Sequence, residues 1–261
     1  MTIVLTQRIE SSKIRIMGRL YRIVESQEEI ATRSLVDSLQ KQQVLEHLLE
    51  ENKPQRLSGT EALHYLLATP FRYPPLPWGS RFGGVAESGI YYGCKTLMTT
   101  LAEAAYYRLL FFHDMLEPPP DPLTSYHSVF SAKYRADPAI RLQDIAWEKN
   151  WSALTHPGDY RYCQSLGREL RKMHIQGLEV ISARALQVGL VKFPPSNGEG
   201  INVALLEPQA LLKRPPSQEA DVTAETGGTG VVFLVKSGDR TEIVHFVLDD
   251  FLVDGLLPRP A

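Results

Sequence analysis

The sequence predicts an α+β fold built on a mainly antiparallel sheet flanked by helices. Three observations carry that reading. Short runs rich in β-branched and aromatic residues recur at 14–24, 90–92, 178–182, 201–206, 231–235 and 242–247. Between them lie segments of helical period that cluster together. The last two runs are joined by Ser237-Gly238-Asp239, a good hairpin turn, which makes that pair antiparallel.

Taken in order, Ile14, Ile16, Leu20, Tyr21, Ile23 and Val24 argue for strand over 14–24. The period then changes. Ser26 and Glu29 form a capping-box pair, and Ile30, Leu35, Val36, Leu39, Leu45, Leu48 and Leu49 follow at helical spacing until Pro54. Residues 58–67 read as another short helix. Pro70, Pro74, Pro75 and Pro77 then predict an extended, rigid segment over 71–78. Ile90-Tyr91-Tyr92 is a short strand between Gly89 and Gly93. A helix over 96–112 follows, capped by Thr96, with Leu97, Leu101, Ala104, Ala105 and Leu109 on its spacing. Residues 118–122 are a turn, and 130–134 and 140–145 fit strand or helix equally. An amphipathic helix spans 160–174 and is stopped by Gly177. Residues 216–229, polar and glycine-containing, read as a loop.

Composition excludes several classes. The chain has 261 residues, 43% of them hydrophobic and 22% charged, with a net charge of −2. That balance gives no electrostatic case for nucleic acid or a membrane surface. Nothing approaches the roughly 20 apolar residues that span a bilayer. Two cysteines, Cys94 and Cys163, make no disulfide framework, and seven histidines show neither HxxxH nor HxH spacing, so no metal is expected. The first residues lack the basic and apolar regions of a secretory signal, and a cytoplasmic setting is the expectation. Ser182 lies in no Gly-x-Ser-x-Gly elbow, and Gly227-Gly228-Thr229-Gly230 completes neither a P-loop nor GxGxxG.

Three polar residues stand out. Arg81, Tyr91 and Glu103 sit on successive short elements among apolar residues. Glu103 follows Leu97, Met98, Leu101 and Ala102 in a segment that reads as a buried helix start. A carboxylate there needs a partner, because burying an unpaired charge is costly. A structural ion pair with Arg81 and an active site both satisfy that need. Of Tyr91 and Tyr92, one belongs to the core, since successive strand residues face opposite ways. Ser182 alone reads as a hydrogen-bonded strand serine, and Asn202 as a structural one.

Considered together, Arg81-Phe82, Gly89-Ile90-Tyr91-Tyr92, Thr99-Thr100-Leu101-Ala102-Glu103, Gly177-Leu178-Glu179-Val180-Ile181-Ser182-Ala183-Arg184 and Ile201-Asn202-Val203-Ala204-Leu205 resemble the RES domain family. That family is named for its arginine, glutamate and serine. Leu20-Tyr21-Arg22-Ile23 resembles the family's first strand. The resemblance covers about 18–210 of a single domain spanning 1–261. A helical insertion at about 26–68 and a C-terminal hairpin at about 230–250 are additions to it. Covering the sheet, self-association and antitoxin docking all fit the insertion.

The resemblance implies a fold similar to ADP-ribosyltransferases. It implies breakdown of NAD at the nicotinamide–ribose bond by phosphorolysis or hydrolysis, with NAD as substrate, inorganic phosphate as a co-substrate and no cofactor. The expected setting is bacterial, as the toxin of a toxin–antitoxin pair, with a small helix-turn-helix antitoxin of Xre type as partner. The corresponding site residues are Arg81, Tyr91, Glu103 and Ser182. The reaction passes through an oxocarbenium-like state, so a carboxylate near the ribose gains value as charge develops. The planar fork of Arg81 suits a pyrophosphate or phosphate, the Tyr91 ring suits stacking on nicotinamide, and Ser182 suits positioning. Arg22 and Arg184 are candidates for a second anion site. ADP-ribosyl transfer to a macromolecule, and a non-catalytic interaction protein on the same fold, are the competing readings.

Overall fold

The computed structural model describes residues 2–26, 41, 44, 48, 53–55, 57–193 and 198–260. The expected long helix between Ser26 and Pro54 falls almost wholly outside those residues. The chain opens with helix α1 (Thr2–Ser11), which the sequence reading left unassigned, and then enters β1 (Ile14–Glu25). Helix α2 (Tyr65–Arg72) leads through the proline-rich segment to β2 (Tyr91–Cys94) and α3 (Leu97–His113). The long β3 (Leu123–Arg141) is followed by α4 (Trp151–Leu154) and α5 (Arg161–Lys172). Then come β4 (Gly177–Ile181), α6 (Ala183–Gln187) and β5 (Ile201–Leu205). The strands β6 (Ser217–Gly227), β7 (Gly230–Ser237) and β8 (Arg240–Val247) complete the sheet.

Among the described residues, eight strands run in the order β1-β2-β5-β4-β3-β6-β7-β8, and only β3–β4 is parallel. The length of β3 explains the architecture. One of its edges carries β1 from Ile14↔Ala139 to Glu25↔His127. Its other edge carries β6 up to Ser131 and β4 from Ala139 to Arg141. Because β1 also meets β2 at Tyr21↔Cys94, the strands β1, β2, β5, β4 and β3 close into a ring. Side chains fill such a small ring. Here Ile16, Leu20, Tyr91, Ala132, Tyr134, Ala136, Val203 and Leu205 form the filling, lidded by Leu67 and Phe71 of α2.

The outer face of the ring carries the alternate residues. Leu178, Val180 and Ala204 pack there with Ile9 of α1 and Leu166 and Leu170 of α5. Helix α3 covers the remaining sheet, with Leu101, Ala105, Tyr106 and Leu109 against Val129, Val222, Val231 and Phe233. Full burial of each such side chain stabilises by about 1.5–3 kcal/mol.

Three expectations are corrected. Residues 216–229 are not a loop: Ala220, Val222, Ala224 and Thr226 are buried in β6 while polar residues alternate with them. The extended segment expected over 71–78 begins only after Arg72, because Pro70 does not end the helix. The proline removes a single N–H, and α2 continues to Arg72 with Thr69 Oγ1 donating to the Tyr65 carbonyl at 2.8 Å. The expected helix over 58–67 accordingly begins later, at Tyr65, behind a His64 cap. The segments left open at 130–134 and 140–145 belong to the strand β3, up to Arg141. Helix α5 stops at Lys172, where His174 turns left-handed at φ 56°, and Gly177 begins β4.

Candidate active site

Four elements converge at one end of the ring's outer face: the 79–83 turn, α3, the β4–α6 junction and β5. The turn is a two-residue hairpin, with Ser80 N donating to Gly83 O at 2.7 Å, and Arg81 and Phe82 at its tip. Gly79 adopts φ 76°, and a Cβ there would meet Gly83 O at 2.4 Å. Phe82 is fully buried and lies on α5 at Gly167, where a Cβ would sit 2.0 Å from Phe82 O. That close approach seats the turn and fixes where Arg81 begins.

The Arg81 guanidinium stacks on the Tyr160 ring at 4.3 Å, and its Nη1 donates to the carbonyls of Leu154 and His156 at 3.2 and 2.9 Å. Burial works against its charge, but Tyr160, Cys163, Glu103 and Tyr107 together hold its pKa above the usual value. Among the described residues, Arg81 and Glu103 share a field without forming an ion pair. The first alternative, a purely structural pair, is therefore not what the fold builds.

Glu103 lies in the second turn of α3, which starts at Thr96 as expected, with the Thr96 side chain accepting from Thr99 N at 3.2 Å. Two donors converge on one of its oxygens. Ser182 Oγ donates to Glu103 Oε1 at 2.6 Å, and Asn202 Nδ2 donates to the same atom at 2.5 Å. Ser182 caps α6, accepting from Ala185 N at 3.0 Å, so its hydroxyl proton is directed to Glu103. The second carboxylate oxygen, Oε2, has no such donor among the described residues. Among the described residues, one oxygen is fixed and the other is without a donor.

Tyrosines surround this pair. Tyr107, one turn after Glu103, is 46% exposed along its flank. Its hydroxyl is pushed well above the usual value by desolvation, then by Tyr160 and Glu103. Tyr106 lies edge-on to it at 5.0 Å and donates to the Pro258 carbonyl. Sequence reasoning missed these residues and Tyr160, because aromatic side chains on helix faces look like core. It placed Asn202 as structural, and only the pairing Asn202↔Cys94, with α3 laid across it, brings that amide to Glu103.

The two tyrosines of β2 exchange roles. Tyr91 points into the ring, fully buried, with its ring 6.2 Å from Phe71 and its hydroxyl without a partner among the described residues. Tyr92 shares a face with Cys94 and Asn202. Its hydroxyl accepts from Phe82 N at 3.0 Å, bonds Ser80 Oγ at 3.0 Å, and is pushed up to about 12 by burial. Tyr92 holds the turn that presents Arg81; Tyr91 does not reach it.

Arg22 goes with Tyr91. Its guanidinium lies 4.7 Å over the Tyr91 ring and donates to the Tyr92 carbonyl at 2.8 Å, where β1 and β2 diverge beyond their single pair. Arg184 is fully buried, stacked on Tyr106 and donating to Pro157 O and Gln187 Oε1. Neither cation is placed as the expected second anion site.

A family model described as the RES domain matches residues 53–225. The chain belongs to the RES domain family. The matched region of the RES domain holds Arg81, Tyr92, Glu103, Ser182 and Asn202, and β1 with Arg22 lies outside it. No curated protein matches the chain. A solved structure, the crystal structure of the M. tuberculosis MbcT–MbcA toxin–antitoxin complex, is similar over 86% of this chain and 92% of that one, at 11% identity and a TM-score of 0.46. Among the described residues, no group of three or more His, Cys, Asp or Glu is placed to hold a metal ion. No described helix is long and apolar enough to cross a membrane.

Proposed function

We propose that this RES domain breaks down NAD at the nicotinamide–ribose bond and acts as the toxin of a toxin–antitoxin pair. The observation that carries the reading is the half-occupied carboxylate. Ser182 and Asn202 fix Oε1 of Glu103, Oε2 has no donor among the described residues, and Arg81, stacked on Tyr160, shares the field of Glu103. Departure of nicotinamide breaks the C1′–N1 bond, and both electrons go to the pyridine nitrogen. Positive charge then grows on the ribose. A preorganised carboxylate oxygen at the ribose stabilises that charge without reorganising. An oxygen of inorganic phosphate or of water completes the bond to C1′; attack by water releases one of its two protons to solvent. Arg81, charged and partly exposed, suits the anionic pyrophosphate or the incoming phosphate.

Regulation by a small helix-turn-helix antitoxin, in a bacterial cytoplasm, belongs to the same reading and rests on family membership. The test is incubation of the pure protein with NAD, with and without inorganic phosphate. Release of nicotinamide with ADP-ribose 1″-phosphate only when phosphate is present identifies a phosphorylase. ADP-ribose without phosphate identifies a hydrolase. Label on a macromolecule identifies a transferase, and no turnover sinks the enzymatic reading.

A further inference from the structure

The Glu103 site holds a second acceptor. Asn202 is on β5, and its Nδ2 must face Glu103, because a carboxylate accepts and only the amino end of the amide donates. Its Oδ1 is therefore turned elsewhere. That atom is buried and has no hydrogen-bond partner among the described residues. The two heteroatoms share one carbon, so Oδ1 lies within about 5 Å of the Glu103 carboxylate. Buried acceptors are almost always satisfied, and an orphan beside a carboxylate whose second oxygen also has no donor among the described residues asks for one. Tyr91 carries an orphaned hydroxyl too, but inside the apolar ring filling, on the opposite face of β2.

We infer that Asn202 Oδ1 and Glu103 Oε2 form a pair of acceptors for the cis-diol of the nicotinamide ribose. Glu103 takes the 2′-hydroxyl, next to the carbon where charge develops, and Asn202 takes the 3′-hydroxyl. Asn202 then has two tasks: its amino end fixes the catalytic carboxylate and its carbonyl end reads the sugar. The inference rests on the NAD reading and adds to it a residue that selects ribose over 3′-deoxyribose.

The experiment is a cycle of two enzymes and two substrates. Wild type and Asn202→Ala are each assayed with NAD and with an NAD analogue lacking the 3′-hydroxyl of the nicotinamide ribose. Wild type should lose about tenfold in kcat/KM on the analogue, the size of one hydrogen bond to a buried acceptor. Asn202→Ala should lose more than that on NAD, since Glu103 also loses a donor, yet differ less than threefold between the two substrates. Equal discrimination by both enzymes means that Asn202 is only a positioning residue and overturns the inference. Should the variant fail to fold, the wild type decides alone: equal kcat/KM on the two substrates overturns it, and a tenfold preference supports it. A wild type that turns over the analogue and NAD alike leaves the NAD reading intact. A wild type inactive on NAD overturns both.

Discussion

Glu179 on strand β4 and Glu103 on helix α3 are two carboxylates that are satisfied in opposite ways. Glu179 points into the ring and is 1% exposed. Two donors serve each of its oxygens: Tyr134 OH and Lys95 Nζ at 2.8 and 3.1 Å on Oε1, Gln143 Nε2 and Arg141 Nε at 3.0 and 3.1 Å on Oε2. Glu103 takes both of its donors on one oxygen. Closed coordination of a buried charge fixes structure, and open coordination leaves an oxygen for a ligand. The two are also linked. Lys95 immediately precedes the Thr96 cap of α3, and Ser182 follows Glu179 by three residues, so the closed network ties together the two junctions that build the open one.

The comparison makes its sharpest prediction at the open site. Glu103→Gln keeps an acceptor for Ser182 and Asn202 and replaces the free oxygen with an amide. NAD turnover should fall by about 10²–10³ in kcat, the range for one lost electrostatic stabiliser. The melting temperature should stay within a few degrees of wild type. Near-normal turnover would show that Oε2 does not face the reacting sugar.

Glu179→Ala should do the reverse. Removing one partner of a buried ionic network costs about 3–5 kcal/mol when the other charges remain buried. Lys95 and Arg141 keep side-chain exposures of 26% and 43%, so they rehydrate and the loss should be nearer ~3 kcal/mol. Denaturant unfolding reads it directly. The network also has a pH signature. Burial alone would raise the Glu179 pKa, but Lys95, Tyr134 and Gln143 outweigh burial and hold it below its usual 4.5. A depressed folded value means stability present above pH 4.5 and lost as the pH falls below it toward the folded pKa. Wild type should therefore lose stability more steeply than Glu179→Ala on acidification from that point. Parallel acid limbs would place the network's charge elsewhere.

How far the sequence discloses this contrast depends on chain distance. Thr96, Glu103 and the α3 pattern lie within one helix, and their local spacing is sufficient. Strands β4, β5, β7 and β8 announce themselves by apolar runs, while β6 hides its buried Ala220, Val222 and Ala224 behind polar neighbours at every other position. Family resemblance supplies Ser182 from far along the chain. What no local pattern contains is the closure of β1 between β2 and β3, and that closure decides which face of each strand is inside. Tyr91, Arg22 and Glu179 are sent inward by it, and Tyr92 and Asn202 outward. Alternation establishes that Tyr91 and Tyr92 part company; only the ring says which one goes where.

The smallest effects discriminate that point best. Tyr92→Phe removes the acceptor of Phe82 N and the partner of Ser80 Oγ, leaving a backbone N–H of a buried residue unpaired. Loss of about 1–2 kcal/mol of stability should follow. Because the same turn carries Arg81, KM for NAD should rise several-fold. Tyr91→Phe removes a hydroxyl that has no partner among the described residues, from a ring already packed on Phe71. Deleting an unsatisfied buried polar group is neutral or favourable, so its stability should change by less than about 1 kcal/mol, in the stabilising direction. Its kcat/KM should match wild type. The reversed pattern, with Tyr91→Phe impaired and Tyr92→Phe normal, would put the substrate on the inner face of β2. That face is filled by Leu20, Val203 and Leu205 and lidded by α2, so substrate entry there would require the ring itself to open.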